Sequence, residues 1–286
     1  MYMRDRVKRY FCGPFETYLY LRSHRVKHHQ RIIIVVGSQR SGTTLLGLIL
    51  SAHPQVTMYD EDNDTSYRLL RSGKFAATAV CGFKCPAYTH RYQMLGRMYP
   101  DAKYLFITRN IMSIVSSMLE YRLGDGRRWV ETVGHIGLVR LLATVSDRGL
   151  KRIVRQQLRQ CEAANDYVGI AAMYAYVQQY FLAEYERTGL SVCHVVYENL
   201  VLHPAEEVPR IVQFLDIPWV DNLLRHHRQS EGLAPGNTER NRPIDTGSLD
   251  KWRAKLQEGE ISRITQCVSL LQNRSGNLRG DVERGV

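Results

Sequence analysis

Eight residues, Gly37-Ser38-Gln39-Arg40-Ser41-Gly42-Thr43-Thr44, carry the donors and the spacing of an anion site. The pattern Gly37-x4-Gly42 is that of a phosphate-binding P-loop. Such a loop turns backbone N–H groups toward one point. Ser41, Thr43 and Thr44 add hydroxyl donors, and Arg40 adds a positive charge. The triphosphate version of the loop has a lysine after the second glycine, to reach the β- and γ-phosphates. Thr43 stands there instead. The loop therefore suits a phosphate-like anion but lacks the group that serves a triphosphate.

The flanking sequence must hold that loop in place. Ile32 to Val36 are consecutive β-branched residues and read as a strand buried on both faces. Thr43 to Ser51, with Leu45, Leu46, Leu48, Ile49 and Leu50 apolar, reads as a helix that Pro54 closes. The helix N-terminus brings free N–H groups and the positive end of its dipole to the loop. His53 is read as a structural residue at the helix end. Further strands are expected over 80–84, 103–108 and 191–197, separated by helices over 89–99, 111–121 and 204–215. The stretch 127–188 is helical by pattern, broken near Gly149. Residues 55–66 read as a polar loop carrying Asp60, Glu61, Asp62 and Asp64, with a short helix over 67–71. Residues 228–247 read as a loop, and two helices follow over 248–257 and 260–271.

Strands alternating with helices imply a three-layer α/β fold of the P-loop type, a central parallel sheet with helices on both faces. We expect one domain over 1–286, with an N-terminal extension of 1–30 packed on it and a frayed tail from 273.

Ligands of open parallel sheets bind beyond the carboxyl ends of the strands. Those ends carry the Gly37–Thr44 loop, Lys84, Thr108-Arg109-Asn110 and Tyr197-Glu198-Asn199. An NTPase usually closes an apolar strand with an aspartate that holds Mg²⁺. Arg109 has the opposite charge. The crevice reads as built for a nucleotide with several anionic groups and no metal.

Composition narrows the class. Net charge is +11, but the basic residues are spread along the chain. No compact basic block with interleaved aromatics marks a nucleic-acid-binding module. Six cysteines show no zinc-type spacing, and no metal site is expected. No apolar leader or membrane-length stretch is found, so the expected setting is reduced and cytoplasmic.

At these residues the chain resembles the PAPS-dependent sulfotransferases (PAPS is 3′-phosphoadenosine 5′-phosphosulfate). Gln39-Arg40-Ser41-Gly42-Thr43-Thr44-Leu45 is similar to their 5′-phosphosulfate loop. Arg109, with Ser117 eight residues on, is similar to their 3′-phosphate pair. Tyr197-Glu198-Asn199-Leu200 resembles the segment whose tyrosine lies by the adenine. Thr246-Gly247-Ser248-Leu249-Asp250-Lys251-Trp252 resembles the segment that closes over the cofactor. The resemblance implies that Gln39, Arg40, Ser41, Gly42, Thr43, Thr44, Arg109, Ser117, Tyr197, Arg242 and Lys251 bind PAPS or its product PAP, 3′,5′-adenosine bisphosphate.

Ala52-His53-Pro54 and Phe83-Lys84-Cys85-Pro86 are closest to the glycan and tyrosylprotein branch. There the resemblance makes Glu61 the general base and Lys84, with Arg40, the cations at the transferring group. Ile111-Met112 departs from the common Pro-x-Asp of the family. The implied reaction is in-line sulfuryl transfer to a hydroxyl or amine. The acceptor is expected to be a small molecule, cationic if the carboxylates of Asp60–Asp64 line its side of the crevice. The alternative is a glycan or a protein tyrosine; the alternative of another class is a P-loop nucleotide kinase or NTPase.

Overall fold

The computed structural model describes residues 14–60, 64–75, 78–228, 232–234 and 238–273. The described chain gathers into two compact units. One is Arg22–Arg109 with Leu182–Thr246; the other is the described part of Met1–Leu21, Asn110–Phe181 and Gly247–Val286.

The first unit holds five parallel strands, β1 (Arg31–Gly37), β2 (Val56–Tyr59), β3 (Val80–Lys84), β4 (Lys103–Thr108) and β5 (Ser191–Val196), in the order β2-β3-β1-β4-β5. β1 lies at the centre because it has no polar face. Ile32 to Val36 are all buried, and Tyr104 to Ile107 of β4 beside it are buried too. Truncating one such side chain to Ala costs about 2–5 kcal/mol. The sheet is the expected one with an additional edge strand, since β2 occupies part of the stretch read as a polar loop.

The helices are α1 (14–21), α2 (Thr43–Ser51), α3 (Asp64–Ser72), α4 (Tyr92–Met98), α5 (Ile111–Glu120), α6 (His135–Thr144), α7 (Arg148–Ala164), α8 (Tyr167–Arg187), α9 (Tyr197–Leu202), α10 (Pro204–Leu215), α11 (Lys251–Lys255) and α12 (Glu258–Gln272). In the sheet unit, α2 connects β1 outward to β2, while α4 connects β3 back across β1 to β4. Right-handed crossovers put connections of opposite direction on opposite faces of the sheet. That gives the three-layer P-loop-type arrangement.

The second unit is helical. Its long helix α7 buries Leu150, Ile153, Val154, Leu158 and Cys161 on one face. The helical break expected near Gly149 falls slightly earlier. Asp147 accepts a hydrogen bond from the Leu150 N–H (2.9 Å) and starts α7, so Gly149 lies inside the helix. A side-chain oxygen at the cap satisfies a donor that the helix leaves open. In this unit α11 packs on α5, where the Ser113 hydroxyl donates to the Leu249 carbonyl (3.3 Å) and Lys255 pairs with Glu120 (2.5 Å).

Among the described residues, Cys81, Cys85, Cys161, Cys193 and Cys267 are buried and form no disulfide. Among the described residues, no helix is long and apolar enough to cross a membrane, and no cluster of His, Cys, Asp or Glu could hold a metal ion.

Candidate nucleotide site at the strand ends

Register brings the chemistry-bearing strand ends together. Val35 pairs with Lys84, Gly37 with Ile107, and Thr108 with Val196. The carboxyl ends of β1, β3, β4 and β5 thus finish at one edge of the sheet.

The loop after β1 is held by its own backbone. The Ser41 N–H and hydroxyl both donate to the Ser38 carbonyl, at 3.1 and 2.6 Å. Arg40 has φ 70°, a left-handed conformation for a residue with a Cβ. Such strain costs roughly 1–3 kcal/mol and persists where the surroundings enforce it. Gly42, at φ 101°, is the N-cap of α2. It has no room for a side chain, since an added Cβ would lie 2.3 Å from Cδ2 of Tyr197. Gly37 is similarly constrained, at φ 137° with an added Cβ 2.2 Å from the Ile107 carbonyl oxygen. The first turn of α2 carries no acidic residue. The positive end of its dipole therefore faces no carboxylate from that turn.

Thr89 anchors the loop's first glycine. Its hydroxyl accepts from the Gly37 N–H (3.0 Å) and lies 2.7 Å from the Gly37 carbonyl and 2.9 Å from the Pro86 carbonyl. No motif marks Thr89 in the sequence, because its role arises from a 3₁₀ turn, Pro86–Arg91, folding back on the loop. His53 accepts from the Gln55 N–H at Nδ1 (3.1 Å), which leaves Nε2 to donate to the Pro218 carbonyl (2.9 Å). It closes the end of α2, as expected.

Two cations approach the loop from neighbouring strands. Lys84 ends β3 and is only 3% exposed. Its Nζ donates to the Thr44 hydroxyl at 3.2 Å and pairs with Asp60 at 2.8 Å. Arg109 follows β4. Its Nη1 donates to the Arg40 carbonyl (3.1 Å), and its guanidinium sits 4.2 Å from the centroid of the Tyr197 ring. Burial lowers the Arg109 pKa, opposed by the nearby Tyr197 and Glu198. The tyrosine thus touches both the loop glycine and the arginine. It opens α9 rather than ending β5, one residue earlier in the transition than the sequence suggests.

The remaining expected residues are placed as follows. Gln39, Arg40 and Thr44 are part-exposed on the loop; Ser41 and Thr43 are buried. Arg242, in the same unit, makes a two-pronged pair with Asp245, 2.5 Å at each prong, and this hydrogen bonding raises its pKa. Ser117 on α5 and the exposed Lys251 at the start of α11 belong to the other unit. Glu61 and Asp62 lie outside the described residues. Asp60 has a different setting from the one expected, since it is engaged with Lys84 and not simply presented to an acceptor.

The parallel sheet and its surrounding helices are also found in solved sulfotransferases. A mouse sulfotransferase crystallised with PAP superimposes with a TM-score of 0.56, covering 94% of this chain and 90% of its own at 16% identity, so the likeness is one of fold. The Sulfotransferase family model matches residues 32–80. Protein-tyrosine sulfotransferase A of Caenorhabditis elegans is 25% identical over 284 residues, 84% of this chain and 66% of its own length. The protein-tyrosine sulfotransferase of Drosophila melanogaster is 25% identical over 304 residues, 90% of this chain and 54% of its own. The chain thus spans about half to two thirds of the length of these curated relatives. The chain is similar to sulfotransferases in sequence over most of its length and in fold, and the matched family segment, 32–80, contains the anion loop.

Proposed function

We propose that the protein transfers the sulfuryl group of PAPS to the phenolic hydroxyl of a tyrosine in a polypeptide. One observation carries the donor assignment. Arg109 is bonded to the loop at Arg40 and stacked on Tyr197, so a second anion-binding cation is fixed to an anion loop that lacks the triphosphate lysine. A nucleotide with a phosphate at each of two positions fits that pair of sites better than a triphosphate does. The loop's backbone and hydroxyl donors fit the phosphosulfate, Arg109 fits the 3′-phosphate, and Tyr197 offers a face to the base. The family resemblance adds Ser117, Arg242 and Lys251 to the residues assigned to the nucleotide.

PAPS supplies a sulfuryl group activated by its phosphate leaving group. In the transfer a bond forms from the acceptor oxygen to sulfur, and the bond from sulfur to the phosphate oxygen breaks. Glu61 accepts the acceptor's proton. Lys84 and Arg40 hold the negative charge that gathers on the departing oxygen. Fixed cations aimed at developing charge stabilise the transition state more than the ground state.

The tyrosine acceptor rests on the names of the relatives, protein-tyrosine sulfotransferases from several animals. They support the alternative acceptor better than the small-molecule one. The cationic small molecule also loses part of its motive, because Asp60 is paired with Lys84. The test is incubation with PAPS and matched peptides containing Tyr or Phe, read by mass spectrometry. Sulfation of the Tyr peptide alone supports the reading. Sulfation of small amines or sugars in place of the peptide would replace the acceptor, and no transfer to any acceptor would remove the activity.

A further inference from the structure

We infer that Asp60 is a positioning residue for Lys84, holding its ammonium group against the anion loop. The inference rests on the sulfuryl-transfer reading above. Its basis is register. β2 pairs with β3 so that Tyr59 faces Phe83, and the next residue on each strand is Asp60 and Lys84. The two side chains meet at 2.8 Å where adjacent strands end.

Lys84 needs such a partner. At 3% exposure its ammonium has lost nearly all contact with water, and a buried charge is costly without an opposite charge and hydrogen bonds. Asp60 reaches it from the crevice rim, with a third of its side chain exposed, while Thr44 accepts from it at 3.2 Å within the first turn of α2. A carboxylate on one side and a loop hydroxyl on the other fix Nζ at the edge of the anion site. Asp60 also immediately precedes Glu61 in the chain. The residue that aims the leaving-group cation and the residue assigned to the acceptor proton therefore share one backbone segment.

A positioning role differs from an acceptor-attracting role in what its loss does. Without the carboxylate, Lys84 keeps its place in the sequence but loses its aim. Misplacement of a catalytic group by about 1 Å can cost on the order of 10²-fold in rate. Donor binding depends on the loop and Arg109 and is expected to survive.

The test measures kcat and KM with PAPS and a tyrosine peptide for wild type, Asp60→Asn, Asp60→Glu, Lys84→Met and the double variant Asp60→Asn/Lys84→Met. Calorimetry with 3′,5′-adenosine bisphosphate runs alongside. Asp60→Asn is expected to lower kcat by about 10–10²-fold with bisphosphate affinity within about threefold of wild type. Asp60→Glu is expected to recover most of that loss. The double variant is expected to be no slower than Lys84→Met, because the two residues act as one unit. Asp60→Ser repeats the comparison if the amide variant does not fold.

Wild-type kcat in Asp60→Asn would overturn the inference while leaving the transfer reading intact. So would fully additive losses in the double variant, or a loss confined to the acceptor KM. A wild-type chain that binds the bisphosphate but transfers nothing from PAPS would overturn both.

Discussion

Cations are used in two opposite ways in this molecule. At the strand ends, Lys84 and Arg109 are few, withdrawn from water, and each is tied to named partners: Asp60 and Thr44 for one, the Arg40 carbonyl and the Tyr197 ring for the other. On α7, Arg148, Lys151, Arg152, Arg155 and Arg159 recur at helical spacing opposite the buried face. Among the described residues, these five have no ion-pair partner. Lys151 shows the consequence. Burial lowers its pKa, and repulsion from Arg155 and Arg148 lowers it further. The comparison shows that the +11 net charge is a poor guide to the site. What distinguishes the two strand-end cations is burial and a dedicated partner.

The comparison breaks most visibly at the reaction step. Lys84→Met and Glu61→Gln are each expected to lower kcat by about 10²–10⁴-fold while bisphosphate binding persists. Steady-state kinetics beside calorimetry would separate the two effects. Unchanged turnover in Glu61→Gln would take the proton-accepting role from that residue.

A smaller effect is expected at the other strand-end cation. Arg109→Ala should weaken 3′,5′-adenosine bisphosphate by at least about tenfold, since a charge-assisted hydrogen bond contributes about 1.5–3 kcal/mol. Its effect on 5′-AMP should be slight. Equal weakening of both ligands would assign Arg109 to the shared part of the nucleotide.

The sheet unit also contains a buried base without charge. His226 lies in a short turn packed on α2, and burial, with His227 beside it, lowers its pKa from 6.5 to about 4. The unfolded chain therefore takes up a proton near pH 6.5 that the native chain refuses until about pH 4. Stability is full above that window and falls as pH drops through it, by up to about 1.4 kcal/mol per pH unit. Chemical denaturation at several pH values should show this slope, and His226→Gln should flatten it. A slope unchanged in the variant would place the titration elsewhere.

The least effect is expected on α7. Arg152→Gln with Arg155→Gln removes like charges without removing a contact, so stability should stay level or rise by about 0.5 kcal/mol. Turnover should stay within about twofold of wild type. A loss comparable to that of Arg109→Ala would bring the stripe into the functional machinery and erase the contrast.

The sequence made the loop, four of the strands and the strand-end cations legible because each is a local pattern. A β-branched run, two glycines at fixed spacing and a helix start lie within one short stretch from Ile32 to Ser51. The fifth strand, β2, was hidden because Val56–Tyr59 is short and its neighbours are acidic. With it went the partnership of Asp60 and Lys84, which exists only through the pairing of β2 with β3. Thr89 and the contact of Gly42 with Tyr197 were hidden for the same reason, as they join residues far apart in the chain. In the stretch from 127 to 188 the sequence showed one break, near Gly149, but not its exact place or the second break, because both are caps, at Asp147 and at the left-handed Asn165, not proline interruptions.

The central claim is that the loop and Arg109 together recognise a nucleotide phosphorylated at both the 5′ and 3′ positions. Calorimetric titration of wild-type protein with 3′,5′-adenosine bisphosphate, 5′-AMP and ATP at one salt concentration tests it most directly. The bisphosphate is predicted to bind at least about tenfold more tightly than either of the others. Equal affinity for the bisphosphate and 5′-AMP, or tighter binding of ATP, would contradict the account.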